Sequence, residues 1–292
     1  MVSFLRLARG LLLVATCTSY VAWSPEAREA TIAAESAELQ PNRPQVLITG
    51  DSITEQADDP TYDGYVTQFQ YEFQQAVDVI VRGLSGYNSR WFLKYVTPVL
   101  EKELKAGRYT PSLITVWLGT NDAVLTNGSN AEMHVPVEDY TENMIKIVKS
   151  FQTAAPDANV LLITPPHVDD AARAKESAKR TDEKRGMIDR SNAMSGIYAQ
   201  ACKKVAAETG VPLMDLYSHF MAMPAVTRNK HLVDGLHFSA SGHKVVGELL
   251  RKIIRDEFPD VWEKLLVYQF PFVAKWMKED PYVPSNSTTT TN

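Results

Sequence analysis

The sequence predicts an α/β protein, a doubly wound three-layer α/β/α sandwich around a mainly parallel sheet. Short apolar runs with little polar alternation recur along the chain, as in strands that are buried on both faces of a sheet. Segments with helical periodicity lie between these runs. Such regular alternation of strand and helix favours parallel strands joined by right-handed crossovers.

The predicted elements alternate from Gln45 to Glu257. Strands are expected at Gln45–Thr49, Val77–Val81, Leu113–Leu118, Val160–Thr164 and Pro212–Leu216. Helices are expected at Tyr65–Gln75, Ser89–Leu104, Val137–Thr153, Ser241–Glu257 and, with breaks, Ala171–Glu208. Ligands of a parallel sheet bind beyond the carboxyl ends of its strands. Four residues that directly follow predicted strands should therefore meet at one edge: Ser52, Gly86, Asn121 and Pro165.

The composition favours one globular domain and argues against a nucleic-acid-binding protein. The 292 residues are 45% apolar and 22% charged, which is enough to bury one large core. A formal net charge of −5 offers no basic face for phosphates. We expect a polar connector at residues 31–43, a single domain at 44–280 that includes C-terminal helices, and a disordered tail at 281–292.

The first 30 residues predict a secretory signal peptide. Arg6 and Arg9 precede an apolar stretch, Leu11 to Trp23, with small residues in its second half. This stretch is shorter than the roughly 20 apolar residues that a membrane span needs. We expect cleavage between Ser19 and Ala30 and a secreted mature protein. The alternatives are an uncleaved anchor or an organelle transit peptide, with an intracellular or organellar location.

Two N-glycosylation sequons and the cysteine count also bear on the prediction of secretion. Asn127-Gly128-Ser129 and Asn286-Ser287-Thr288 fit a secretory route, although such triplets often arise by chance. Cys17 belongs to the predicted leader, which leaves Cys202 alone in the mature chain. No internal disulfide is then expected, and Cys202 is predicted to be a buried structural thiol.

Two further segments have alternative interpretations. Aromatic side chains recur between Phe258 and Trp276, where helices packed on the body are expected. A partner surface or a cover over the active-site edge is the alternative there. The charged stretch from Asp169 to Lys184 is predicted to be a solvated helix, and a mobile insertion near the pocket is its alternative.

Ser52 is the candidate nucleophile. It lies in Gly50-Asp51-Ser52-Ile53-Thr54, immediately after the first predicted strand. A serine hydroxyl is a weak nucleophile until a base accepts its proton. His237 is the candidate base because a turn can fold Asp234, three residues earlier, onto its ring. The structural alternative for Ser52 is a helix N-cap paired with Glu55.

The other histidines fit the role of base less well. His243 is the nearest rival, but it falls inside the last helical pattern, where a solvated or packing role is expected. No carboxylate stands at a suitable spacing after a strand for the remaining four, which are His134, His167, His219 and His231. A third segment, Gly119-Thr120-Asn121-Asp122, adds an amide donor after the third predicted strand. A turn or cap is its structural alternative.

These segments together resemble those of the SGNH hydrolases, also called the GDSL esterase/lipase family. The similarity runs from about Gln45 to Glu257 and is closest to the isoamyl acetate-hydrolysing esterase branch. Besides Gly50–Glu55, Gly119–Asp122 and Asp234–His237, it rests on Arg82–Trp91, His134–Tyr140 and Ile163–Pro166. The resemblance implies a flavodoxin-like sheet.

The resemblance also implies a role for each matching residue. Ser52 would be the nucleophile, His237 the general base and Asp234 the acid that orients it. The oxyanion hole would consist of the backbone N–H groups of Ser52 and Gly86 and the side-chain amide of Asn121. Candidate substrate-binding residues are Asp51, Tyr87, Asn88 and Trp91.

The predicted function is a serine carboxylester hydrolase that acts on short-chain, acetyl-type esters through an acyl-enzyme. Neither a metal nor a cofactor is expected, because no close cluster of His, Asp and Glu has ligand spacing. The expected partner is a small-molecule ester. A lysophospholipase, a thioesterase or a polysaccharide O-acetyl esterase could use the same machinery, and a catalytically silent binding protein is the alternative outside enzymes.

Overall fold

The computed structural model describes residues 43–270 together with Val273, Met277 and Glu279. The predicted signal peptide, the connector up to residue 42, the tail and the sequon at Asn286 lie outside the described residues. Within the described part, no helix is both long and apolar enough to cross a membrane.

Five parallel strands form one sheet in the order β2-β1-β3-β4-β5. The strands are β1 (Gln45–Gly50), β2 (Asp78–Gly83), β3 (Pro111–Trp117), β4 (Asn159–Ile163) and β5 (Leu213–Met214). The chain winds outward from β1 to β2 and then crosses back to β3. The switch point of the sheet, where such folds bind ligands, therefore lies between β1 and β3.

Between Ser52 and Leu265, eleven helices surround the sheet. In chain order they are α1 (Ser52–Gln56), α2 (Tyr65–Glu72), α3 (Ser89–Trp91), α4 (Thr97–Lys105), α5 (Val137–Ala154), α6 (Asp170–Lys179), α7 (Asn192–Thr209), α8 (Leu216–Met221), α9 (Ala225–Arg228), α10 (Ala240–Glu257) and α11 (Pro259–Leu265). Short 3₁₀ turns and one π turn complete the described chain. The predicted α/β/α class is confirmed.

Two apolar cores, one on each face of the sheet, hold the layers together. Val46 and Ile48 of β1 belong to the core that includes α2, α10 and α11. Leu47, between them, belongs to the core that includes α4, α5 and α7. Because neighbouring residues of a strand face opposite sides, a strand buried on both faces must be apolar throughout. This explains the unbroken apolar runs in the sequence.

The element boundaries differ from the predicted ones for local reasons. The predicted helix Ser89–Leu104 is divided by a π turn, Phe92–Val96, because Pro98 has no N–H with which to continue the ordinary ladder. The last strand is shorter than predicted because Asp215 caps α8 by accepting from Ser218 N at 3.1 Å. The long pattern Ala171–Glu208 is broken, as predicted, into α6 and α7.

The segment after Phe258 packs on the body of the protein as far as α11 ends. Val261, Trp262 and Leu265 are buried in the core that includes α2 and α10. Beyond this helix, Phe270 is exposed. The prediction of packing is therefore confirmed for α11, and Trp276 lies outside the described residues.

Candidate active site

A cavity of about 310 Å³ is lined by four of the predicted site residues. Ser52 follows β1, Gly86 follows β2, Asn121 follows β3, and His237 precedes α10. The structure thus brings together side chains that are up to 185 residues apart in sequence. Pro165, which follows β4, does not line this cavity; its ring lies beside Gly119.

Ser52, His237 and Asp234 form a hydrogen-bonded chain. Ser52 Oγ lies 3.0 Å from His237 Nε2, and His237 Nδ1 lies 2.9 Å from Asp234 Oδ2. The carboxylate can only accept while it is ionised, so Nδ1 carries the proton and Nε2 is free to accept from the serine. Burial acts to raise the pKa of Asp234, but hydrogen bonds from the His237 ring and from the backbone N–H groups of His237 and Leu236 hold it well below its usual range.

The turn that carries Asp234 and His237 is fixed by backbone contacts. Asp234 Oδ1 accepts from the N–H groups of Leu236 at 2.9 Å and His237 at 2.8 Å. Gly235 has φ +85°, a conformation that favours glycine, and its carbonyl accepts from Asp169 N at 2.9 Å. The spacing Asp-x-x-His therefore places one carboxylate oxygen on the backbone and the other on the imidazole.

Ser52 is not the N-cap of the helix that it begins. Asp51 caps α1 instead, because its Oδ1 accepts from Ile53 N at 2.9 Å. Glu55, the partner expected in a capping box, accepts from Ser85 N at 2.6 Å. The capping alternative for Ser52 is thus wrong, and its hydroxyl is left to face His237. Burial raises the pKa of Asp51 to about 6.

The three residues predicted to form the oxyanion hole are Ser52, Gly86 and Asn121. The Ser52 N–H lies in the first turn of α1, where backbone N–H groups have no intrahelical acceptor. Gly86 has φ +79°, so its backbone conformation suits glycine. Asn121 is 2% exposed, and its Nδ2 donates to Tyr87 O at 2.9 Å. All three residues line the cavity.

Sequence reasoning missed an arginine–aspartate group that also lines the cavity. Arg173 of α6 contacts Asp189 through Nε at 3.0 Å and Nη2 at 2.8 Å, and its Nη1 lies 3.3 Å from Asp234 Oδ2. Arg190 donates to Asp189 and to Asn121 Oδ1. No local motif marks these residues, because they meet Asp234 and Asn121 only in the folded chain.

The charged stretch Asp169–Lys184 therefore contributes to the site as well as to the surface. Its N-terminal half forms α6, as the predicted helix requires. Arg173 lines the cavity with its side chain 13% exposed, so this face of α6 is not solvated. The prediction of a wholly solvated helix is corrected at this position.

The four candidate substrate-binding residues are not among the residues that line the cavity. Asp51 and Asn88 are buried and are used as helix caps; Asn88 Oδ1 accepts from Trp91 N at 2.9 Å, and its Nδ2 donates to Met133 O at 2.7 Å. Tyr87 and Trp91 pack edge to face with ring centroids 6.3 Å apart. Asp51 and Asn88 thus cap helices, and Tyr87 and Trp91 pack against each other. Their assignment to substrate binding stays a prediction.

Three further polar side chains, Asp122, Cys202 and His243, are buried. Asp122 is fully buried and accepts from both the N–H and the hydroxyl of Ser89, and burial raises its pKa to about 7. Cys202 is buried, as predicted, and burial raises its pKa to about 12. His243 is packed between Tyr65 and Phe238, so the solvated alternative is wrong for this ring. In the described part of the chain no group of three His, Cys, Asp or Glu residues could hold a metal.

Comparison with known proteins identifies the family. A model of the GDSL-like Lipase/Acylhydrolase family matches residues 48–245. A GDSL esterase/lipase of Arabidopsis thaliana is 33% identical over 239 residues, which cover 82% of this chain and 96% of the relative. The isoamyl acetate-hydrolyzing esterase 1 homolog of Bos taurus is 33% identical over 204 residues, which cover 70% of this chain and 78% of that protein.

Solved structures share the fold. A lipase/acylhydrolase from Enterococcus faecalis aligns with a TM-score of 0.52 at 23% identity, over 73% of this chain and 96% of that chain. The acetyl xylan esterase AlAXEase aligns with a TM-score of 0.53 at 20% identity, over 72% of this chain and 99% of that chain. The resemblance inferred from the motifs is thereby confirmed: the chain belongs to the GDSL-like lipase/acylhydrolase family of carboxylic ester hydrolases.

Proposed function

We propose that the protein hydrolyses short-chain carboxylic esters through an acyl-enzyme on Ser52. The observation that carries this proposal is the chain of contacts from Ser52 Oγ to His237 Nε2 at 3.0 Å and from His237 Nδ1 to Asp234 at 2.9 Å, beside a cavity. A hydroxyl, an imidazole and a carboxylate in this order are sufficient for nucleophilic acyl transfer.

Each residue then has a defined role in two half-reactions. Ser52 Oγ attacks the ester carbonyl while His237 Nε2 accepts its proton, and the imidazolium passes that proton to the departing alcohol. Water next attacks the acyl-enzyme with His237 again as the base, which releases the acid and restores the serine. Asp234 holds Nδ1 as a donor and stabilises the imidazolium in both steps.

The oxyanion of each tetrahedral intermediate is stabilised by three neutral donors. These are the backbone N–H groups of Ser52 and Gly86 and the amide of Asn121. Support comes from the position of all three residues on the cavity wall and from the first-turn location of the Ser52 N–H. Loss of one such donor typically lowers kcat by about 10²–10³-fold.

The acyl group is proposed to be short because few large apolar side chains line the cavity. Of its lining residues only Met133 and Leu236 carry large apolar side chains. A long acyl chain needs an apolar channel, since burial contributes about 0.8 kcal/mol per CH₂ group. The similarity to a protein named for hydrolysis of isoamyl acetate points in the same direction.

The catalytic proposal is tested with Ser52→Ala. We expect kcat for p-nitrophenyl acetate to fall by at least about 10⁴-fold, because the hydroxyl that becomes acylated is removed. A fluorophosphonate should label Ser52 in the wild-type protein and leave the variant unlabelled. Esterase activity that persists undiminished in the variant would refute the mechanism, and a wild-type protein without esterase activity would favour a catalytically silent binding protein.

A panel of p-nitrophenyl esters of increasing length tests the acyl preference. The highest kcat/KM is expected for acetyl or butyryl esters, because Met133 and Leu236 are the only large apolar side chains among the residues that line the cavity. A maximum at long chains would instead favour the lysophospholipase or thioesterase alternative.

An ester of a polar alcohol, such as an O-acetylated sugar, is the second candidate substrate. A neighbouring cavity of about 260 Å³ shares Asn130, Arg173 and Asp189 with the first and is lined mainly by polar side chains. A hydroxyl-rich leaving group would find hydrogen-bond partners there. Comparison of acetylated xylo-oligosaccharides with p-nitrophenyl acetate, at equal concentrations, decides between a polar and an apolar alcohol.

We further propose that the protein enters the secretory pathway. The proposal rests on the charged start and short apolar stretch of the first 30 residues. N-terminal sequencing of the protein from the medium of its own cells should give a start between Ser19 and Ala30. A secreted protein that still starts at Met1 would refute cleavage.

A further inference from the structure

The guanidinium of Arg190 holds the oxygen end of the Asn121 amide. Arg190 is 6% exposed and Asn121 is 2% exposed, so the contact is buried. Nη2 of Arg190 donates to Asn121 Oδ1, and Nε donates to Thr120 O at 3.1 Å. The guanidinium is therefore anchored to two successive residues of the segment that follows β3.

The nitrogen end of the same amide is fixed as well. Asn121 Nδ2 donates one of its two N–H bonds to Tyr87 O at 2.9 Å. A flipped amide would set its NH₂ group against the donors of Arg190 and its oxygen against the carbonyl oxygen of Tyr87, which are two repulsive contacts. Only one orientation is compatible with both neighbours. It leaves the second N–H for a ligand in the cavity that Asn121 lines.

The charge of Arg190 also strengthens the hydrogen bonds that the Asn121 amide donates. A cation bound to the oxygen of an amide draws electron density toward it, and its N–H groups then donate stronger hydrogen bonds, especially in a buried site. The buried cation is itself compensated, because Nη1 of Arg190 donates to Asp189. Asp189 is held in turn by Arg173.

We propose that Arg190 is a positioning residue for ester hydrolysis, which acts through Asn121. It fixes the orientation of the amide and strengthens the hydrogen bond that this amide donates to the oxyanion. The inference rests on the proposed function. Since Arg190 also lines the cavity, direct contact with the substrate is the competing role, and the two roles predict different behaviour in a double variant.

The test is a double-mutant cycle with Arg190→Met and Asn121→Ala, measured as kcat for p-nitrophenyl acetate. Asn121→Ala is expected to lower kcat by about 10²–10³-fold. Arg190→Met is expected to lower kcat by at least about tenfold with KM little changed, as for an interaction made only in the transition state. The double variant should lie within about threefold of Asn121→Ala, because no amide remains to be positioned.

Two results would overturn the inference. One is a double variant whose loss is the product of the two single losses, which would indicate that Arg190 acts independently of Asn121. The other is an Arg190→Met variant with wild-type kcat. Labelling of Ser52 and the Ser52→Ala variant test the proposed function separately. If the wild-type protein hydrolyses esters through Ser52 and the cycle is multiplicative, only the role of Arg190 fails.

Controls separate this role from a general loss of stability. Thermal unfolding is measured for each variant beside Arg251→Met. This control breaks a partly buried ion pair with Glu72 at 3.3 Å, and Arg251 does not line the cavity. Arg190→Lys keeps the charge but cannot contact Thr120, Asn121 and Asp189 at once. Its kcat should lie between those of the wild type and Arg190→Met. If Arg190→Met does not fold, the cycle is repeated with lysine, and a multiplicative loss again contradicts the proposal.

Discussion

The carboxylate of Asp234 shows how single atoms constrain the site. Oδ1 accepts from two backbone N–H groups of its own turn, while Oδ2 faces His237 Nδ1 and, at 3.3 Å, Nη1 of Arg173. Each oxygen has a different task. One fixes the turn, and the other determines which imidazole nitrogen carries the proton.

We expect Asp234→Asn to lower kcat by about 10⁴-fold while the protein remains folded. The amide oxygen can replace Oδ1 on the two backbone N–H groups, which turns the NH₂ group toward His237 Nδ1. The ring must then accept at Nδ1 and carry its proton on Nε2, so it cannot accept the proton of Ser52. Steady-state kinetics measures the loss, and circular dichroism checks the fold. Activity within tenfold of the wild type would contradict the assigned tautomer.

At the scale of elements, the turn before α10 is held against the start of α6. A Cβ on Gly235 would lie 2.7 Å from Ala172 Cβ and 2.9 Å from Asp169 O. A residue with a side chain is therefore disfavoured at position 235, both because the backbone there is left-handed and because a Cβ would clash with α6. In the proposed mechanism the position of this turn matters because it carries both Asp234 and His237.

Gly235→Ala should reduce both stability and activity. A left-handed conformation costs an alanine roughly 1–2 kcal/mol, and the contacts with α6 add to this cost. Gly107→Ala is the matched control, because Gly107 has φ +65° but nothing lies within 4 Å of an added Cβ. Urea unfolding should show a larger loss for Gly235→Ala, by at least about 1 kcal/mol, and only that variant should lose kcat. Equal losses of stability in the two variants would show that the contacts with α6 are unimportant.

At the scale of the whole molecule, buried ionisable groups link stability to pH. Burial lowers the pKa of His243 to about 4, with a small opposing effect from the charge of Asp63 and a reinforcing one from His237. Neither ring nitrogen has a protein hydrogen-bond partner among the described residues. The unfolded chain takes up a proton below about pH 6.5, whereas the folded chain does so only near pH 4. Stability from this residue is thus present at neutral pH and is lost as the pH falls from about 6.5 toward 4.

His243→Phe should remove this acid sensitivity while it keeps the ring contacts with Tyr65 and Phe238. Between pH 7.5 and 4.5, the free energy of unfolding of the wild type is expected to fall by about 2 kcal/mol relative to the variant. Asp51 and Asp122 have raised pKa values, so their contributions have the opposite sign and fall as the pH rises through about 6 and 7. Asp51 and Asp122 are present in both the wild type and His243→Phe, so their contributions cancel when the two free energies of unfolding are subtracted. If the difference in free energy of unfolding between the wild type and His243→Phe does not change with pH, His243 is protonated equally in the folded and unfolded states.

The fold was largely predictable because its signals are local and repeated. Strand β1 alternates between two cores, so every residue from Val46 to Ile48 must be apolar, and such runs are visible without a structure. The exact ends of elements were less predictable, since they depend on single contacts such as the cap of α8 by Asp215. The π turn before α4 depended likewise on one proline.

The sequence by itself determined the α/β class, the family and the segments that meet at the site. The class is visible in the alternation of strand and helix patterns, and each site segment is a short motif at the end of a strand or in a tight turn. Only the tertiary structure decided which of their neighbours support that site. Arg190 reaches Thr120 and Asn121 across about 70 residues, and Arg173 reaches Asp234 across 61. Contacts of this kind arise when the loops of a parallel sheet converge, and no periodicity or local spacing in the chain records them.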